Sequence, residues 1–315
     1  MIHSARSKPA GFFILFIAVK MKTKHWTAYI LLGLIWSTSF LWIKIALNEV
    51  GPYALVAFRV LFGLLTAGGA ALISRAEWPR DRATWVTYAI LGVTSVAVPF
   101  FLITWAEQFI DSAIASILNA TAPLFTILIA HYLLHDDKMN LPKVLGLLTG
   151  FAGVVVLLSE DLTVGAHSSV IGQAAVVLAS MFYAGSTVYA RKNTGHVPGL
   201  VRGAAPFFSA NLAMWIAAPA LERPFVFPNL PITWFALLWL GALGSGVALI
   251  LWYYLLHEIG PTRTISVTYI FPLGGVILGV IFLHEHLSWQ LAVGAALIIS
   301  GVLVTNWNPK PKTND

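Results

Sequence analysis

The sequence holds no cysteine, which excludes disulfides, thiolate chemistry and cysteine-based metal sites and leaves the redox compartment unread. It is also poor in charge. Asp, Glu, Lys and Arg make up 10% of its 315 residues, against roughly a quarter in an ordinary soluble domain. Hydrophobic residues reach 58%. Such a chain cannot cover itself with polar surface, and its apolar residues fall in runs near the ~20 needed to cross hydrocarbon. The formal charge of +6 comes from Lys and Arg scattered between those runs. An interleaved basic and aromatic patch that would bind nucleic acid is absent, so the implied partner is the lipid bilayer and not nucleic acid.

The motifs of membrane enzymes and pumps are missing too. Nothing resembles HExxH, a phosphate-binding loop or a Ser/His/Asp arrangement. No cofactor is implied, and the connections between apolar runs are too short for a nucleotide-binding domain. His284, Glu285 and His286 invite a metal reading, but residues two apart do not share a helix face and no further ligand cluster accompanies them. No metal site is expected.

What is present is an all-α integral membrane pattern of ten apolar stretches. They run near Trp26 to Leu47, Pro52 to Ile73, Thr84 to Trp105, Ser112 to Leu134 and Pro142 to Leu158. The rest run near Ile171 to Ala190, Gly203 to Leu221, Ile232 to Leu256, Thr264 to Leu283 and Leu287 to Trp307. With the N-terminus in the cytoplasm, sixteen of the nineteen Lys and Arg residues lie in cytoplasmic segments. Lys44 and Arg223 remain outside, and Arg59 lies within a span. This positive-inside bias places both termini in the cytoplasm of an inner-membrane protein. Trp26, Trp78, Trp85, Trp234, Trp289 and Trp307 sit near stretch ends, as an interfacial belt requires. Residues 1–25 form a cytoplasmic N-terminal segment and residues 308–315 a cytoplasmic tail. The apolar run Gly11 to Val19 is too short to span. It is either a lead segment or part of an over-extended start, with Met21 as the initiator.

A shift of about 148 positions superimposes the landmarks of residues 26–160 on those of residues 168–307. Trp36, Ser39 and Lys44 fall on Tyr183, Ser186 and Arg191; Gly92 falls on Gly241, Pro123 on Pro272, and Gly146 and Gly153 on Gly294 and Gly301. Each unit holds five stretches, an odd number, so the second must enter the membrane from the opposite side. Ten transmembrane helices arranged as two inverted-topology five-helix repeats are the architecture of many secondary transporters.

Several strings carry a family resemblance: GLIWSTSFLWIKIAL with Lys44, FRVLFG with Arg59, SAIASILNATAPLFTIL ending at HDD, SVTYIFPLGGVILG ending at LHEHL, and the glycines of GLLTGFAG and GAALIISG. With these the chain resembles an EamA-type member of the drug/metabolite transporter superfamily over roughly Trp26 to Val304. The resemblance implies a secondary transporter that exports or exchanges a small organic metabolite such as an amino acid. A multidrug or cation exporter is the alternative, and a membrane enzyme or lipid-handling subunit a more distant one. The resemblance also implies that the first four helices of each half surround a central cavity, with the fifth and tenth peripheral. Glu285, with a counterpart near Asp136, becomes a turn residue joining two helices. One departure stands out: Phe207 and Phe208 occupy the positions that the repeat pairs with Arg59.

Arg59 lies seven residues past Pro52, about 10 Å of helix below the surface. An unpaired cation there would cost about 2.5–3.5 kcal/mol on insertion scales. It either reaches the headgroups, pairs with Glu49, or faces the cavity and binds an anionic group. Lys44 is either interfacial or a substrate contact. Trp36, Ser39, Trp105, Asn119, Tyr183, Ser186, Tyr254 and Tyr269 complete the candidate cavity set, which is aromatic and weakly polar; the competing reading has them bond neighbouring helices or fill space. Pro123 and Pro272, the latter flanked by Gly274 and Gly275, mark kinks or gates. Every Asp and Glu falls in a connection or at a span edge, Glu107 and Asp111 coming nearest to the membrane. Transport driven by the substrate gradient, with weak dependence on pH, is therefore expected. The charge asymmetry predicts that a reporter active only outside the cytoplasm is silent when fused at residue 315 and active after Leu221; activity at the C-terminus would contradict the even span count.

Overall fold

The structure is a computed structural model that describes residues 22–134, 138–164, 167–260, 264 and 266–305. The N-terminal segment with Met21, the turn at Asp136, Trp307 and the tail lie outside the described residues. All regular elements among the described residues are helical. Eight are long and apolar enough to cross a membrane: α1 (Thr23–Ala46), α2 (Pro52–Ile73), α3 (Arg82–Ala106), α4 (Ser112–Leu133), α5 (Leu141–Ser159), α6 (His167–Asn193), α7 (Gly199–Leu221) and α8 (Pro231–Ile259). Two shorter apolar helices follow, α9 (Ile270–Leu283) and α10 (Trp289–Thr305). Of the ten spans expected, eight are of full length among the described residues, and the other two apolar helices are shorter. Large apolar side chains such as Leu65, Leu72, Val155, Leu212 and Ile216 stand exposed, surface that lipid solvates.

Several of these helices are interrupted. In α4 the regular turns stop at Asn119 and resume at Ala122, because Pro123 has no N–H to offer the carbonyl of Asn119 four residues back. The Ser180 hydroxyl of α6 donates to that carbonyl at 3.4 Å and to the Leu118 carbonyl at 3.3 Å. Pro272, its counterpart, stands in the first turn of α9, after a 3-10 turn at Ser266–Tyr269. Both prolines therefore sit at breaks. α3 and α8, each third in its half, loosen into π-helical segments at Gly92–Ala97 and Trp239–Val247.

The halves interlock by contacts that are images of one another. A Cβ on Gly92 would strike the main-chain carbonyl of Pro206 in α7, and one on Gly241 would meet the carbonyl of Arg59 in α2 at 2.7 Å. Pro206 and Arg59 are themselves 147 positions apart. On the periphery α5 packs along α10. There a Cβ on Gly146 would lie 2.5 Å from the carbonyl oxygen of Gly301, and one on Gly153 would lie 2.7 Å from that of Gly294. Shifting by 148 exchanges the two pairs. Gly301→Ala places its methyl against the backbone of Gly146 and Gly150, which cannot yield as a side chain would. It is expected to cost about 1–3 kcal/mol and to lower the melting temperature of the detergent-solubilised protein, whereas Gly69→Ala, with open space around it, is not.

Candidate functional site

A cavity of about 470 Å³ lies where α1–α4 of the first half meet α6–α9 of the second, and neither α5 nor α10 contributes to it. That volume falls within the roughly 300–1,000 Å³ of small-molecule sites. Trp36, Ser39, Arg59, Asn119, Tyr183 and Ser186, all expected from the sequence, line it together. At one end the lining stops at Ile43 and Ile103, both buried. Towards the other end it reaches Ala190 and Arg202, on either side of the α6–α7 connection, and includes the exposed Thr187.

The breaks in the helices place the polar groups. Trp36 Nε1 donates to the carbonyl of Gly244 (3.2 Å) in the π-helical segment of α8. The Ser186 hydroxyl bonds Thr94 Oγ1 (3.0 Å) in the matching segment of α3. Asn119 Oδ1, beside the Pro123 break, is buried without a hydrogen-bond partner. Arg59 is buried, with 8% of its surface exposed. Its Nε donates to Ser245 Oγ (3.3 Å), and the guanidinium carbon stands 3.8 Å from the centre of the Phe100 ring. Among the described residues no carboxylate forms an ion pair with it. Glu49, the partner offered by the sequence, accepts instead from the main-chain amides of Asn229 (2.6 Å) and Leu230 (3.1 Å) at the start of α8. A hydrogen bond from Thr233 and these amides hold its carboxyl below the ordinary carboxylate value.

Lys44, Trp105 and Tyr254 do not line the cavity. The Lys44 ammonium donates to the main-chain carbonyls of Glu107 (2.6 Å) and Ile110 (2.7 Å), closing the C-terminal end of α3, where free carbonyls and the helix dipole favour a cation. Trp105 packs edge-on against Phe109 (4.9 Å between centroids). Tyr254 faces His25 and Lys24, near the Glu258 carboxylate that His25 Nε2 meets at 3.0 Å. The Tyr269 side chain lies outside the described residues. In place of Tyr254 the structure puts Tyr253 on the wall, with Leu249 and Ser245 one and two turns before it. That spacing of four was readable from the sequence. Arg202, which the sequence assigned to a loop, also lines the wall; its Nη2 donates to the carbonyls of Gly195 (3.1 Å) and Val197 (2.9 Å). Phe207, the counterpart of Arg59, lines the cavity too, while Phe208 is exposed.

Beyond Ile43 and Ile103 the bundle is tied across its halves. Glu222 accepts from the amide of Tyr53 (2.8 Å) at the start of α2, and Glu285 from those of Ser112 (2.7 Å) and Ala113 (3.0 Å) at the start of α4. Glu285 is thus more than the turn residue the family resemblance implied: it caps a helix of the other half. Glu107, expected at a span edge, is fully buried (0%), with Lys44 of α1 on its carbonyl and Gly172 of α6 packed on Ala106 and Ile110 beside it.

An all-helical membrane protein with a pseudo-symmetric pair of halves around a central cavity is the class that this geometry defines. The EamA-like transporter family profile matches it twice, over residues 24–159 and 170–307. The chain belongs to that family. Among its relatives, the uncharacterized inner membrane transporter YedA of Escherichia coli K12 is 28% identical over 87% of this chain and 88% of its own. The uncharacterized transporter YoaV of Bacillus subtilis is 23% identical over 87% and 94%. A probable terminal-alkyne amino-acid exporter of Streptantibioticus cattleyicolor is 24% identical over 91% and 95%. One crystal structure, 22% identical, superposes with a TM-score of 0.64 over 90% of this chain and 98% of that one, which supports the fold.

Glu285→Ala removes two charge-assisted bonds from the first turn of α4. Loss of such a cap costs about 0.5–2 kcal/mol, so the variant is expected to melt below the wild type in detergent. An unchanged melting temperature would show that the cap does not hold this end.

Proposed function

We infer that the protein is a secondary transporter that exports or exchanges a small organic metabolite bearing a carboxylate, amino acids and their relatives being the class, across the inner membrane with both termini in the cytoplasm. The observation that carries this reading is Arg59: a buried guanidinium on the cavity wall, with Phe100 on its face, Ser245 on Nε and no acidic partner among the described residues. A cation so placed is stabilised when a substrate brings the missing negative charge. Trp36, Tyr183, Phe207 and Phe271 supply apolar walls for the rest of the molecule, and Asn119 Oδ1 offers an acceptor to an ammonium group. The amino-acid exporter named among the relatives supports the class. A cation exporter would need a carboxylate on the wall, and the lining carries Arg59 and Arg202 instead. The two halves, inserted in opposite senses, would expose the cavity by turns.

The test is uptake by proteoliposomes of a panel of labelled neutral amino acids and a quaternary ammonium dye. Amino-acid transport without dye transport is expected. In Arg59→Gln, loss of one charge-assisted bond of about 1.5–3 kcal/mol is expected to raise the apparent substrate constant by roughly ten- to a hundredfold at near-normal membrane abundance. Normal abundance with unchanged transport would defeat the reading.

A further inference from the structure

The Glu107 carboxylate has no place in the reading above, and its surroundings are unusual. It is fully buried, and neither Oε1 nor Oε2 has a hydrogen-bond partner. One turn earlier, Thr104 Oγ1 is also buried and unpartnered. The Lys44 ammonium is close enough to bond the main-chain carbonyl of this same residue, yet its short contacts go to that carbonyl and to Ile110. An ionised carboxylate in a dry site takes a neighbouring ammonium or N–H groups as partners; a neutral carboxyl has no such need. The charged groups that act on it are Lys44 from α1, Arg59 from α2 and Glu285 from the α9–α10 connection, with Asp111 further along its own connection. Lys44 and Arg59 favour a negative charge at Glu107, while Glu285 and the loss of water oppose it. The face of α6 against this turn brings Gly172 to Ala106 and Ile110.

We propose that Glu107 is a proton-binding site: its carboxyl holds a proton while this end of the bundle is closed and gives it to water when the end opens. On opening, the O–H bond breaks, the proton passes to water, and the carboxylate left behind takes the Lys44 ammonium, freed from the two carbonyls, as its counter-ion. The inference rests on the transporter reading, since two ends that open in turn are what bring Glu107 to water in each cycle. It reverses the weak pH dependence expected from the sequence, because ionisation of Glu107 favours the open form.

Two measurements on purified protein in lipid nanodiscs test this without a transported substrate. Infrared spectroscopy at neutral pH is expected to show a protonated-carboxyl stretch that is absent from Glu107→Gln. The chain has no cysteine, so Ile110→Cys, at a position 3% exposed, reports this end alone. Its reaction with a water-soluble maleimide, normalised to the denatured protein, is expected to accelerate with rising pH by up to about tenfold per unit for one linked proton. In the same background Glu107→Gln should hold the rate low and flat. Should Glu107→Gln fail to fold, Glu107→Asp keeps the carboxyl and must shift the wild-type band. A missing band, a band unmoved by substitution at Glu107, or the same pH dependence in both labelling backgrounds would each overturn the proposal. A positive result combined with an unaffected Arg59→Gln would sink the carboxylate reading alone, and the reverse combination would sink the proton site alone.

Discussion

Hydrocarbon offers no water to a stray N–H or C=O, and so each place where a helix of this chain departs from regularity has to be satisfied by another part of the protein. The carbonyl of Asn119, deprived of its donor by Pro123, is met by Ser180 from α6. The Gly244 carbonyl in the loosened turns of α8 is met by Trp36. The exposed amides that begin α2, α4 and the approach to α8 are met by Glu222, Glu285 and Glu49. In each case the partner comes from a distant helix or connection, so satisfying the backbone is what ties one element to another. The same breaks bring polar groups to the cavity wall.

Hydropathy and the 148-residue offset made the apolar helices and the two-fold plan legible, because each is read directly along the chain. The cavity was legible where the repeat pointed: Trp36 and Ser39 with Tyr183 and Ser186, and Arg59 as the charge inside a span. Choosing Tyr254 over Tyr253 was an error of helical phase. The spacing of four through Ser245, Leu249 and Tyr253 marks the wall, and Tyr254 stands off it. Lys44 was weighed as a partner of substrate or lipid, yet its partners are carbonyls of the α3 terminus. Nothing near Lys44 in the chain announces them. The burial of Glu107 was hidden for the same reason, since the covering groups come from α1, α6 and a turn more than 170 residues away.

The halves share a backbone plan and differ in chemistry. Where the first half sets Arg59, the second sets Phe207, and both face one cavity. The repeat thus places a cation and an aromatic ring at equivalent positions of one wall.

The seam between α5 and α10 has a mechanical consequence. Main chain touches main chain at Gly146 with Gly301 and at Gly153 with Gly294, close to the reach of a single methyl group. Surfaces so near cannot slide without colliding with the side chains above and below. Turning about the line of contact keeps every pair together. The seam between α5 and α10 therefore resists sliding more than turning.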